Sequence, residues 1–171
     1  MPDLIDICMC SDYNYLKPTQ VVINSTLINT NYNHSFIRFS ILCDTSETKN
    51  ELDKLLIKIK SKFSKITFRV YVFLPSQKLK NLIKKISNNK RIKRLGSYNI
   101  NTNISNYSRF YFKEHFKDLG RIIYLDSDII VLGNIYDLYK IHDSDLAKKK
   151  YNNSYFIAYD RSRNNTNYYN W

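Results

Sequence analysis

RIIYLDSDIIVLGNIYDLY, residues 121 to 139, decides how the chain is read. An apolar run climbs to Leu125, breaks on Asp126 and Asp128 with one serine between them, and turns apolar again before Gly133. The pattern predicts a buried strand ending at Leu125, two acids just beyond it, and a second strand-like segment after them. A buried, unpaired carboxylate is costly, and two close together repel each other. The stretch therefore calls for a positive group held between the two acids.

Working outward, strands and helices alternate. LIDICMC, residues 4–10, and FIRFSILC, residues 36–43, read as strands, as does the β-branched and aromatic ITFRVYVFL at 66–74. Between them, a helix is expected from Pro18 through VVINSTLI. A second is expected from the capping-box pattern Thr48-x-x-Glu51 to about Phe63, with Leu52, Leu55, Leu56 and Ile59 on one face. Pro75-Ser76 begins a basic helix to about Ile86. Residues 87–103 are polar and read as irregular. A helix with Tyr107, Phe110 and Tyr111 on its apolar side then precedes the 121–125 strand. YFIAY, 155–159, is a later strand, and 161–171 a polar tail. Alternation of this kind predicts an α/β fold, a mainly parallel sheet flanked by helices on both faces. Ligands gather at the carboxyl ends of such strands. Asp12 follows the first strand, and Asp126 and Asp128 follow the fourth, so all three are expected on one rim.

Length and composition bound the function. A chain of 171 residues with 43% apolar content can bury a sizeable core. No window approaches the roughly 18 continuous apolar residues of a membrane span. The acidic start MPDLIDICMC is not a secretion signal, so a cytoplasmic setting is expected. Cys8, Cys10 and Cys43 form no CxxC pair, and Cys8 and Cys10 fit one face of a strand as small buried side chains. The net charge of +12 fits nucleic acid, an anionic membrane or an anionic substrate equally well.

Two carboxylates one residue apart can reach a common point where the backbone turns between them. Oxygen-only ligation favours a hard cation, Mn²⁺ or Mg²⁺, with other positions open to water and phosphate. Such an ion can bridge a diphosphate and stabilise the charge that develops as it leaves. In isolation so short a pair marks a solvated turn more often than a site.

The surrounding blocks carry a resemblance. RIIYLDSDIIVLGNIYDLY resembles the metal-binding segment of glycosyltransferase family 8, which includes glycogenin and bacterial lipopolysaccharide glucosyl- and galactosyltransferases. CSDYNYLKPTQVVINS is similar to that family's first strand-to-helix segment, NYSRFYF to the segment that precedes its D-x-D strand, and IAYD to a later strand. The blocks keep the family's order over residues 4–160. The resemblance implies the nucleotide-diphospho-sugar transferase (GT-A, Rossmann-like) fold. It implies a nucleotide-sugar-binding domain over 1–160, with 161–171 as a tail.

It also implies residue roles. Asp12 would accept the uracil N–H, Asn14 would contact the nucleoside, and Tyr15 would stack on the uracil. Arg109 would face the donor sugar and diphosphate. Asp126 would meet the ribose and the Mn²⁺ or Mg²⁺, Asp128 would bind the metal directly, and Asp160 would approach the donor or acceptor sugar. The reaction implied is transfer of a hexosyl group from a UDP-sugar to a sugar or glycolipid acceptor with retention. Retaining hydrolases use two carboxylates about 5 Å apart. No residue here is nominated as such a nucleophile, so front-face attack is the expected mechanism.

The family's domain continues past this sequence, with an Asn-Ala-Gly type motif and a late metal-binding histidine that His34, His115 and His142 do not match. The chain is therefore expected to be C-terminally truncated relative to the family. A nucleotide-sugar-binding remnant without turnover is the alternative. A basic nucleic-acid-binding module ranks below it, because the candidate pocket is lined with acids, and no nucleic-acid partner is expected. The positive charge suits UDP-sugar, or peripheral contact with an anionic membrane that carries a glycolipid acceptor.

Overall fold

The computed structural model describes residues 3–31, 35–88 and 104–141. Four strands form one sheet: β1 (Asp3–Ser11), β2 (Ser35–Cys43), β3 (Ile66–Val72) and the short β4 (Ile122–Tyr124). Their order is β3-β2-β1-β4 and every pairing is parallel. The chain winds outward from β1 to β3, then returns to β1's other side. The strand order thus reverses between β1 and β4, and the carboxyl ends of these two strands open the crevice where such sheets bind ligands.

The connections are α1 (Leu16–Asn29), α2 (Ser46–Lys60), α3 (Gln77–Asn88), a 3-10 helix (Ile104–Tyr111), the one-turn α4 (Phe112–His115), and α5 (Ile135–Ile141). The chain divides into compact units at residues 1–136 and 137–171, and the sheet lies wholly in the first. The sequence-predicted strand 155–159, the tail and Asp160 lie outside the described residues.

β1 is buried on both faces, as a central strand between two helical layers must be. Cys8 and Leu42 point to one face, into a cluster with Phe73 just past β3, with Leu79 and Ile83 of α3, and with Phe112, Phe116 and Leu119. The alternate residues Ile5, Ile7 and Met9 lie beside Ile37, Phe39 and Ile41 in register and are fully buried on the other face. That leaves the second layer to α1 and α2, whose Val22, Ile23, Leu27, Leu52, Leu56 and Ile59 are buried. Burying side chains of this size contributes roughly 1.5–3 kcal/mol each before conformational entropy is counted.

One charged cluster sits inside this frame. Arg38 of β2 makes a two-pronged bond to Asp6 of β1, Nε to Oδ1 at 2.5 Å and Nη2 to Oδ2 at 2.9 Å. Its Nη1 reaches Asp118, which also receives Arg69 of β3. Arg69 lies over the Phe116 ring, and its Nε and Nη2 donate to Ser40. The arginines hold the Asp118 carboxyl below the usual range and tie the loop before β4 to the middle of the sheet.

Local expectations shift in four places. α2 begins earlier than the Thr48 box, because Thr45 is the cap and accepts the Thr48 N–H at 3.1 Å. Pro18 lies in the first turn of α1, not at its start. Phe110 points outward at 71% exposure, and Ser108 and Phe112 take the buried positions instead. Residues 129–132 form no strand, and Ile130 and Leu132 are exposed. Asn29 Nδ2 donates to the Val131 carbonyl, and the Val131 N–H donates to Ser25 Oγ, so this segment is held against α1 by polar bonds.

Candidate functional site

The first half of the site grows from the end of β1. Asp12 leaves the strand extended and caps the 3-10 turn Tyr13–Tyr15, its Oδ1 accepting the N–H groups of Asn14 at 2.9 Å and Tyr15 at 3.2 Å. Short acidic side chains suit that position because they satisfy donors the turn leaves open. Ser11 Oγ and Thr19 Oγ1, 2.9 Å apart, fasten the strand end to α1. Tyr15 and Asn14 are exposed on this turn, and Asp12 Oδ2 makes no hydrogen bond among the described residues. Asp12 is thus a structural cap with its second carboxylate oxygen uncommitted among the described residues.

The second half grows from β4. Cys8 pairs with Tyr124, and the Leu125 N–H continues the ladder to the Cys8 carbonyl at 3.0 Å. Asp126 therefore emerges beside the end of β1. Its side chain is 50% exposed, and Asp128 is exposed on the following turn. The expected burial of these two acids does not occur. They stand at the rim, where water relieves much of their repulsion. A positive neighbour is nonetheless present: Arg109 Nη2 lies 3.8 Å from Asp126 Oδ1. Pairing of Arg109 with Glu114, the ordinary helix-surface alternative, is not what the guanidinium does. It is anchored by Nε to the Asn106 carbonyl at 3.0 Å and sits 5.1 Å from the Tyr124 ring centre.

Sequence reasoning missed the groups beneath these residues. The Tyr124 hydroxyl donates to Asp126 Oδ1 at 3.2 Å. Burial, with Cys10 and Asp126 nearby, keeps this phenol well above its usual range, hence protonated. Ser108 Oγ donates to Cys10 Sγ at 2.9 Å, and burial pushes that thiol up to about 11. Cys8 and Cys43 are buried and pushed up to about 12, as the core reading expects, while Cys10 is only partly buried against the same cluster. The one available signal was spacing: Tyr124 stands two residues before Asp126, on the same side of an extended chain. His115 lies against the Phe73 ring at 5.9 Å and takes no part in the site.

The structure thus brings Asp126 and Arg109 together and places Asp12 at the end of the adjacent parallel strand, with Asp128 on the turn beyond. No group of three His, Cys, Asp or Glu able to hold a metal occurs among the described residues. Two exposed carboxylates form an oxygen-only donor set that fits a hard cation only when phosphate and water complete its shell.

Known proteins share both sequence and fold with this chain. The profile of glycosyl transferase family 8 matches residues 6–168. Probable galacturonosyltransferase-like 10 of Arabidopsis thaliana is 31% identical over 144 residues, which is 82% of this chain and 34% of that protein. Probable galacturonosyltransferase-like 4 of the same plant is 31% identical over 141 residues, 81% of this chain and 35% of its own. The chain spans about a third of the length of these curated relatives. Among solved structures, mouse xyloside xylosyltransferase 1 has a TM-score of 0.55 at 16% identity, over 82% of this chain and 49% of that one. The galactosyltransferase LgtC, solved with donor and acceptor sugar analogues, has a TM-score of 0.51 at 20% identity, over 83% of this chain and 43% of that one. These likenesses establish a GT-A fold. The profile match runs through both the β1 turn and the D-x-D turn, the two halves of the rim, and so the chain belongs to glycosyl transferase family 8.

Proposed function

We propose that the chain forms the donor-binding part of a retaining glycosyltransferase that takes a hexosyl group from a UDP-sugar. The observation that carries this reading is the pairing of Arg109 with Asp126 on the rim shared with Asp12, at the point where the strand order reverses. A nucleotide fits the Asp12 side of the crevice. Asp12 Oδ2 accepts the uracil N–H, Tyr15 stacks on the ring, and Asn14 meets the nucleoside. The diphosphate fits the β4 side, where the planar Arg109 fork suits phosphate oxygens. Asp126 and Asp128 would hold Mn²⁺ or Mg²⁺ together with the diphosphate, and the ion's chemistry is charge neutralisation on the departing UDP. Arg109 stabilises the same charge from the protein side. Asp160 is proposed at the sugar end, and the acceptor is a carbohydrate or glycolipid.

Titration of the chain with UDP, with Mn²⁺ and then with EDTA, tests this directly. Binding strengthened at least about tenfold by Mn²⁺, with UDP release from a UDP-hexose, supports the enzyme. Binding without release supports the nucleotide-sugar-binding remnant.

Peripheral contact with an anionic membrane belongs to the same proposal. From Lys54 to Lys113 the sequence has no Asp or Glu. Within that span α3 exposes Lys78, Lys80, Lys84 and Lys85 together with Leu82. No helix of the described residues is long and apolar enough to cross a membrane. The chain is expected to co-sediment with phosphatidylglycerol-rich vesicles at low salt and to leave them at about 0.5 M NaCl, where screening is short-ranged. Retention on phosphatidylcholine vesicles, or tighter binding to RNA than to the anionic vesicles, contradicts it.

A further inference from the structure

Tyr124 closes β4 and touches both charged members of the rim. Its ring is braced by the buried Phe112, centre to centre 6.0 Å, and lies beneath the Arg109 guanidinium at 5.1 Å. Its hydroxyl reaches Asp126 Oδ1 at 3.2 Å. Arg109 Nη2 approaches the same oxygen at 3.8 Å. Two donors therefore converge on Oδ1, and Oδ2 makes no hydrogen bond among the described residues. Carboxylate rotation is a soft torsion, so an exposed aspartate with no such partners samples many orientations. Here the hydroxyl and the guanidinium select one of them.

Packing does not require the hydroxyl. Phenylalanine would fill the same space against Phe112 and offer Arg109 the same face. The hydroxyl's partners are the half-exposed Asp126 carboxylate and the Cys10 thiol, a weak hydrogen-bonding group that Ser108 also bonds, so its loss costs little stability. We infer that Tyr124 is a positioning residue of the donor site: its hydroxyl turns Asp126 so that Oδ2 faces the ligand side, and its ring keeps Arg109 beside it. Groups that orient a carboxylate ligand in this way tune metal affinity without touching the metal. The inference rests on the proposed role of Asp126 and names a residue that neither the D-x-D pattern nor the family match assigns.

The test uses the full 171-residue chain with Tyr124→Phe, Tyr124→Leu, Asp126→Asn and Tyr136→Phe. The last is a matched control, because the Tyr136 hydroxyl also meets an aspartate at 3.2 Å, Asp3, at the opposite end of β1. Mn²⁺ affinity is read by electron paramagnetic resonance at saturating UDP, UDP affinity in EDTA by calorimetry, and folding by the thermal midpoint. Tyr124→Phe is expected to weaken Mn²⁺ about tenfold, leaving UDP binding in EDTA and the thermal midpoint close to the wild type. Tyr124→Leu is expected to weaken UDP binding in EDTA as well, through loss of the ring under Arg109. Tyr136→Phe should leave Mn²⁺ affinity unchanged. Wild-type Mn²⁺ affinity in Tyr124→Phe, alongside its loss in Asp126→Asn, overturns the positioning role and leaves the donor site standing. An equal loss of Mn²⁺ affinity in Tyr136→Phe also overturns it, as a general effect of weakened packing. Failure of the wild-type chain to bind Mn²⁺ with UDP overturns the donor-site reading and takes this inference with it.

Discussion

Asp128→Asn is expected to weaken Mn²⁺-supported UDP binding by more than about a hundredfold, while UDP binding in EDTA changes less than about twofold. The substitution keeps the side chain's shape and removes one full negative charge from an exposed turn. Folding should therefore be nearly unaffected, since surface changes away from packed features stay within about 0.5 kcal/mol. The metal effect is large because Asp128 supplies one of the two carboxylates in the proposed shell. Loss of a ligand then exceeds the 10- to 100-fold that weaker, indirect perturbations cost. Asp126→Asn should match it in the metal titration but also disturb Arg109, whose guanidinium lies 3.8 Å from the Asp126 carboxylate. The amide offers that arginine only a neutral acceptor, so UDP binding in EDTA should shift for Asp126→Asn and not for Asp128→Asn. Calorimetric titration of both variants separates the two behaviours. Equal, small effects in both would mean that the acids are an ordinary solvated turn.

Arg38→Met is expected to destabilise the fold by about 3 kcal/mol, enough to lower the thermal midpoint on the order of 10 °C. The side chains of Arg38 and Asp6 are only 17% and 7% exposed, and their two-pronged contact satisfies both carboxylate oxygens. Removing the arginine alone leaves a buried charge without its partner, which costs far more than the pair contributes when intact. Asp118 loses one contact but keeps Arg69 and is more than half exposed, so it adds little to the loss. The double variant Asp6→Leu with Arg38→Met should therefore recover much of the stability. Calorimetric unfolding of the single and double variants checks this. A double variant less stable than Arg38→Met would show that the cluster does more than satisfy its own charges. Because the cluster fastens the loop before β4, Arg38→Met should also weaken UDP binding, in step with its thermal midpoint.

The sheet was legible in the sequence through runs of strand-forming side chains, buried along most of β1 and β2 and only in part along β3. Residues 4–10, 36–43 and 66–74 are dense in β-branched, aromatic and small apolar side chains, and β1, β2 and β3 lie on them. Capping was less legible, since Thr45 and Thr48 are both chemically able to cap α2. The choice follows from burial of Thr48, whose hydroxyl lies 2.9 Å from that of Thr45. The apolar segment after Asp128 misled, because hydrophobicity alone does not say whether a strand partner is available. Residues 129–132 lie along α1 through Ser25 and Asn29 instead. Within the site, the order Asp12, Arg109, Asp126, Asp128 was readable as a family pattern. The capping role of Asp12 and the hold of Tyr124 on Asp126 were not. The first depends on one side-chain torsion at Asp12, and the second on a register fixed only once β4 has paired with β1. The Asp6–Arg38–Asp118–Arg69 cluster was invisible for the same reason, as it joins residues up to 112 positions apart through strand register.

The most direct measurement is a crystal of the chain grown with UDP and Mn²⁺, read by anomalous scattering at the manganese edge. One strong peak is expected, touching Asp128 and Asp126 and the diphosphate, with the uracil against Tyr15 and its N–H on Asp12. A manganese peak remote from both acids, or a nucleotide bound away from the β1–β4 crevice, would contradict that expectation.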